Sequence, residues 1–210
     1  AMDDSGNLYG TTENGGAANL GTIFQIDRNG AEAVLHSFAG QPSDGADPKA
    51  GLMLDSNGSL YGTTFSGGSA GFGIAYQLDT ANSESVLYNF TGGADGGNPI
   101  GGLTQDSDGT LYGTTTTGGS SSGKRVLGGG HSGDIHYGCC KGTLYALSGG
   151  GENILYTFKG SHDGGTPTST LVLSGGVLYG TTLTGGPGHN GTAFSVTIAN
   201  GSESVLHGFR

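Results

Sequence analysis

The chain has 210 residues, 47 of them glycine, with only 11% charged residues and a formal net charge of −10. That acidic balance disfavours nucleic acid and anionic lipid as partners, and no apolar run reaches the length of a membrane-spanning helix. Glycine at this density lacks the every-third spacing of collagen and alternates with Leu, Val, Tyr and Phe, which points to many short strands joined by tight turns.

In chain order, the first strong signal is Leu8–Thr12, Leu-Tyr-Gly-Thr-Thr, which recurs at Leu60–Thr64, Leu111–Thr115 and Leu178–Thr182. Gly21 follows twelve residues after Tyr9 and opens a Thr-Ile-Phe strand, and Val34–Phe38 gives another. The connector Asp44–Pro48 leads to the second period, which is the clearest. Gly51–Asp55 is a short apolar run ended by the turn signal Ser56-Asn57-Gly58. After Leu60–Thr64 comes a glycine-rich loop, Ser66–Gly71. Gly73–Asp79 then alternates Ile74, Tyr76 and Leu78 with small and polar residues, the period-two pattern of a strand with one buried face. Ser85–Phe90 closes the unit. The third period repeats this order at Gly102–Asp106, Leu111–Thr115 and Ile154–Phe158, and the fourth at Thr170–Leu173, Leu178–Thr182 and Val205–Phe209. The connectors Asp95–Pro99 and Asp163–Pro167 match Asp44–Pro48.

Four antiparallel strands in a unit of about fifty residues, used four times, predict an all-β fold: a small β-propeller of four blades. The chain reads as a single propeller domain over residues 1–210, with repeats at roughly 1–38, 51–90, 102–158 and 170–209. A parallel β-helix lacks hairpin turns at these spacings, and a sandwich does not need four near-identical units. No 3.6-residue apolar stripe survives the glycine density, so helices are disfavoured.

The Leu-Tyr-Gly-Thr-Thr core, the Gly-Gly after it, the Gly-Thr-x-Phe strand, the Val-Leu-x-x-Phe strand and the Asp-Gly-x-x-Pro connector together resemble the GloVer tandem repeat. That resemblance covers nearly the whole chain. It implies a propeller-like, extracellular or cell-surface bacterial protein, and it carries no catalytic residues to transfer. Four sequons, at Asn57, Asn89, Asn190 and Asn200, are compatible with secretion but carry little weight in a chain rich in Asn, Ser and Thr.

Two places break the repeat. Only Ala1 and Met2 stand where a first strand belongs before Leu8, and the chain stops at Arg210 before a further connector. A four-bladed ring closes within one chain if Ala1–Asp3 serves as a stunted first strand. Otherwise the open strand edge at this joint is covered by a neighbouring subunit or by sequence beyond these 210 residues, and self-association is the expectation there.

The second break is in the third period. From Tyr112 to Gly142 is thirty residues where the other repeats have twelve, an eighteen-residue insertion at 124–141. Three readings stand. His131, Asp134 and His136, with the nearby thiols, offer donors to a metal such as zinc or copper. Cys139 and Cys140 can form a vicinal disulfide or pair with other chains. Alternatively this is a surface or inter-subunit loop in which Lys124, Arg125 and Lys141 balance an acidic body.

Elsewhere the plainer reading prevails. Asp55-Ser-Asn57-Gly58 and Asp106-Ser-Asp108-Gly109 faintly resemble calcium loops, yet they recur at a hairpin where Asx-Gly turns need those residues. His36 and His207 occupy the position held by Tyr88 and Tyr156 in the sibling repeats, which suits an aromatic packing role rather than a catalytic base. The Thr-Thr pairs read as strand residues offering hydroxyls to a blade face or central channel.

The leading expectation is therefore a non-enzymatic extracellular structural or adhesion module, able to self-assemble, with no catalytic or cofactor-binding residues. A propeller binding glycans or an ion is the first alternative, with Tyr9, Tyr61, Tyr112 and Tyr179 as aromatic platforms. The second is a hydrolase or lyase using a metal in the insertion or the central channel, which rests on fold analogy alone.

Overall fold

A computed structural model describes residues 1–119 and 141–210, and among these residues every regular element is a β-strand. The proposed ligands His131, Asp134 and His136, the cysteines Cys139 and Cys140, and Lys124 and Arg125 lie outside the described residues.

Four antiparallel sheets follow one another along the chain. The first is built from Leu8–Thr12, Thr22–Ile26 and Glu32–Ser37. The second uses Met53–Leu54, Leu60–Thr63, Ile74–Leu78 and Glu84–Asn89. The third uses Thr104–Gln105, Leu111–Thr114, Thr143–Ser148 and Gly151–Thr157. The fourth uses Val172–Ser174, Val177–Thr184, Thr192–Thr197 and Ser202–Gly208. In each sheet the strands pair in chain order. Each connector then clips onto the loop of the next sheet, as Gly45–Ala46 does on Ser66–Gly67 and Gly165–Pro167 does on Val177–Thr184.

The glycine inside Leu-Tyr-Gly-Thr-Thr is explained by what lies across from it. Gly10 pairs with Phe24, Gly62 with Tyr76, Gly113 with Tyr145 and Gly180 with Phe194. The aromatic ring lies over the glycine, so a Cβ at Gly10 or Gly180 would sit 2.6 Å from the ring carbon Cζ of Phe24 or Phe194. Only hydrogen fits beneath the ring. One residue on, the last two strands of every sheet carry a bulge at the same place, between Ile23/Phe24, Ala75/Tyr76, Leu144/Tyr145 and Ala193/Phe194. The residue left over is Leu35, Leu87, Leu155 or Leu206, and the extra residue bends the fourth strand.

The threonine pair is buried in the second and third sheets and partly exposed in the first and fourth. The second Thr bonds the threonine that opens the third strand in three sheets: Thr12–Thr22 at 2.8 Å, Thr115–Thr143 at 2.8 Å and Thr182–Thr192 at 3.0 Å. The first Thr reaches the next unit, with Thr11 donating to the Ala50 carbonyl and Thr63 to the Gly101 carbonyl. These hydroxyls tie strands together within and between sheets.

Three apolar cores lie between consecutive sheets. Ile23 and Phe38 pack with Leu60, Ile74 and Tyr76 at the first joint. Ala75 and Phe90 pack with Leu111 and Tyr145 at the second, and Leu144 and Phe158 with Leu178 and Phe194 at the third. A propagating aromatic contact runs through each joint: Phe38–Tyr76, Phe90–Tyr145 and Phe158–Phe194, with ring centroids 5.3, 5.1 and 4.9 Å apart.

The Ala1 ammonium donates to the Tyr9 carbonyl, the Tyr9 amide donates to the Ala1 carbonyl, and Met2 bridges to Leu8. The stunted strand read from Ala1–Asp3 is thus present as a two-residue pairing against Leu8 and Tyr9.

Candidate functional site

The connectors and fourth strands bring the titratable groups to the joints. At the first joint His36, from the last strand of the first sheet, meets Asp44 of the connector, with Nε2 and Oδ2 3.2 Å apart. Glu84, which opens the fourth strand of the second sheet, completes the group: one donor atom from each residue lies within 4.8 Å of the others. At the second joint Tyr88 donates to Asp95 at 3.2 Å and to Glu152 at 3.4 Å. At the third, Tyr156 donates to Asp163 at 2.9 Å, and Glu203 faces the same hydroxyl. One imidazole or phenol therefore sits between two carboxylates at every joint.

The connector aspartate is held by the backbone as well. Asp44 accepts the Ala39 amide at 2.7 Å and the Gly45 amide, and Asp95 accepts the Thr91 amide at 2.7 Å. Asp163 accepts the Lys159 amide at 2.9 Å. The aromatic is fixed by stacking edge-on against the Phe two residues later, at 4.9–5.1 Å for His36, Tyr88, Tyr156 and His207 alike. The aromatic packing role read for His36 and His207 is what the structure shows. The carboxylates on either side were not visible in that reading, although Glu recurs four residues before the aromatic in every repeat, at Glu32, Glu84, Glu152 and Glu203.

Burying two carboxylates together has the expected electrostatic consequence. Burial, reinforced by the neighbouring Asp95, pushes the Glu152 carboxyl up to about 7. Burial and the adjacent aspartates likewise raise Glu84 and Glu203. At the first joint the hydrogen bond to Asp44 raises His36. Burial pushes Asp44 upward, but the hydrogen bonds from His36 and from the Ala39 and Gly45 amides outweigh it and leave that carboxyl below its ordinary range. A His therefore sets an imidazole between two carboxylates at the first joint, whereas a Tyr sets a hydroxyl donor there at the others.

The hairpin aspartates are turns. Asp55 accepts the Asn57 and Ser59 amides at 2.8 and 2.9 Å and the Tyr61 hydroxyl at 3.1 Å. Asp106 does the same with Asp108, Thr110 and Tyr112, and Asp3 with Ser5, Asn7 and Tyr9. The carboxylate oxygens are consumed by amides, as an Asx turn requires, rather than pooled around a cation. Three of the four repeated tyrosines thus brace their own hairpins. Tyr179, which follows Ser174 instead of an aspartate, is 37% exposed. Among the sequons, Asn57, Asn190 and Asn200 are exposed, while Asn89 is half-buried and its side-chain oxygen accepts the Ser69 amide. Lys141 is exposed, and no helix among the described residues is long and apolar enough to cross a membrane, which leaves strand-type crossings unaddressed.

Solved structures with a similar arrangement are propeller-like proteins of different activities. TolB from Acinetobacter baumannii aligns at TM-score 0.51 and 18% identity over 90% of this chain and 38% of its own. A protein described as a gluconolactonase aligns at 0.53 and 13% identity over 97% of this chain and 60% of its own. A puromycin-hydrolysing peptidase of Mycobacterium tuberculosis aligns at 0.55 and 14% identity over 99% of this chain and 28% of its own. The chain thus spans between 28% and 60% of the structures it resembles, and at these identities the likeness is one of fold. No curated protein matches it in sequence. The five recurring elements and the all-β, propeller-like stack of sheets have one common account: the chain belongs to the Gloeobacter/Verrucomicrobia repeat family, whose pattern matches residues 1–210.

Proposed function

We propose that this chain is a non-enzymatic structural module of the cell exterior, made of four consecutive propeller blades whose two end faces dock on each other in neighbouring copies. The observation that carries this reading is the contrast between joints and ends. Phe38, Phe90 and Phe158 are 0% exposed beneath the next sheet, while their counterpart Phe209 is 41% exposed. Leu60, Leu111 and Leu178 are at most 5% exposed, while Leu8 is 48% exposed. Leu206 and His207 flank Phe209 on one end face, and Glu32 and Val34 accompany Leu8 on the other. These are the two halves of the joint that the chain already builds three times, so each end is complementary to the other.

Docking through faces is a second route to self-association beside the edge pairing expected at the joint before Leu8. The non-enzymatic reading is supported by the joint carboxylates and hairpin aspartates among the described residues, which recur as structural partners. The exterior location rests on family resemblance and the exposed sequons.

Sedimentation velocity over a concentration series tests the docking. Head-to-tail oligomers, lost in Phe209→Asp and in Leu8→Asp, are expected. A monomer at all concentrations, with the end faces protected from hydrogen exchange, would instead indicate a ring closed within one chain and overturn the assembly reading.

A further inference from the structure

The first joint differs from its siblings by one residue, and that residue is a metal donor. We propose that His36, Asp44 and Glu84 form a binding site for a first-row divalent transition ion, with zinc as its probe, which cross-links the first two sheets. The donor set fits this class: a neutral imidazole and two carboxylates match zinc better than calcium or magnesium, which favour oxygen alone. The geometry fits as well. Nε2 of His36 and Oδ2 of Asp44 are 3.2 Å apart. That is close to the edge of about 3.3 Å in a tetrahedron built from zinc bonds of about 2.0–2.1 Å.

The third donor is free to close on them. Glu84 Oε1 is buried and makes no hydrogen bond. Its partners lie within 4.8 Å, so a rotation about the side chain brings it to a shared ion. Asp44 is already oriented by the Ala39 and Gly45 amides and His36 by its edge-on contact with Phe38. Two of three ligands are thereby held by contacts that ion binding leaves in place. The His36 and Asp44 side chains are 20% and 12% exposed, which gives an ion a short path from solvent.

The sibling joints are the internal control. Asp95 with Glu152 and Asp163 with Glu203 keep the two carboxylates but set Tyr88 or Tyr156 where His36 stands. A protonated phenol donates to both carboxylates and offers no comparable ligand at neutral pH. Among the described residues this donor set therefore occurs at the first joint and not at its siblings.

The test uses the whole chain carrying His131→Ala, Asp134→Asn, His136→Ala, Cys139→Ser and Cys140→Ser, which removes the donors named in the insertion. Calorimetric titration with zinc is expected to give one ion per chain. His36→Tyr, which installs the sibling residue and keeps the stacking on Phe38, should weaken binding at least about tenfold, since even loss of an outer-sphere partner costs that much. Its circular dichroism and unmetallated melting curve should stay close to those of the parent. Glu84→Gln, nearly equal in volume, gives the same readout should His36→Tyr disturb the fold. Absence of stoichiometric zinc in the parent, or unchanged affinity in both variants, overturns the assignment.

Discussion

Phe90 and Phe209 hold the same place in the repeat and meet opposite fates. Phe90 is enclosed by Tyr145 of the following sheet, with Tyr88, Asp95 and Glu152 closing the joint above it. Phe209 stacks on His207 in the same way but remains exposed. The strand that carries each residue is alike in sequence, pairing and bulge. Burial in this fold is therefore a property of the pair of sheets rather than of the sheet. Each unit contributes half a core, and its stability depends on what covers it.

That comparison is broken most sharply by truncating the two rings. Phe90→Ala should cost about 3–5 kcal/mol, as expected for a fully enclosed phenylalanine. Phe209→Ala should cost less than about 1 kcal/mol in dilute solution, since the ring is exposed. Chemical denaturation of both variants at low protein concentration measures the difference. Equal costs would mean that the bare face is covered within one chain.

A smaller effect separates the covered carboxylate from the bare one. Glu152 titrates at about 7 in the folded chain against 4.5 for the free group. The folded state keeps a proton that the unfolded chain releases between these values, so stability falls as pH rises from about 4.5 to 7 and is constant above. Glu152→Gln should remove this slope and raise stability at pH 8 by about 1–2 kcal/mol. That figure discounts the full shift because the side chain is only half-buried. Glu32→Gln, on the exposed end face, should change stability at pH 8 by less than about 0.5 kcal/mol. Urea melts of both variants, with those of Glu152→Gln run from pH 4 to 9, measure the contrast.

Much of this was legible from residues alone, and the limits have a physical cause. The spacing of Leu-Tyr-Gly-Thr-Thr placed the second strand of every sheet, and the Val-Leu-x-x-Phe run placed the fourth, because turn chemistry and period-two alternation act over neighbouring residues. The Asp55 and Asp106 turns were readable for the same reason. The joint groups were not, since His36, Asp44 and Glu84 come from two sheets and a connector, and only the stacking of one sheet on the next brings them together. The signal was nonetheless present as periodicity: a Glu four residues before each aromatic and an Asp in each connector. The glycine of the repeated pentapeptide likewise shows its reason only once Phe24, Tyr76, Tyr145 and Phe194 are seen to lie across it. The insertion departs from the repeat altogether, so the periodicity has nothing to say of it.

The smallest predicted effect lies inside the covered joint itself. Tyr76 and Tyr145 take the place that Phe24 and Phe194 hold in the outer sheets, and both hydroxyls are buried without a hydrogen-bond partner. Burial drives both phenols well above their ordinary range, so both stay protonated at neutral pH. A hydroxyl stripped of water and given nothing in exchange costs free energy that phenylalanine does not incur. Tyr145→Phe should therefore stabilise the chain by about 1 kcal/mol while leaving the ring packed over Gly113 and against Phe90. Tyr88→Phe removes a hydroxyl of the same kind that bonds both Asp95 and Glu152, and it should destabilise. Opposite signs for two identical substitutions about one joint, read by thermal melts at a single pH, would establish that the joint is held by its polar roof as well as by its aromatic floor. A loss of stability in Tyr145→Phe would instead show that its hydroxyl is satisfied by bound water.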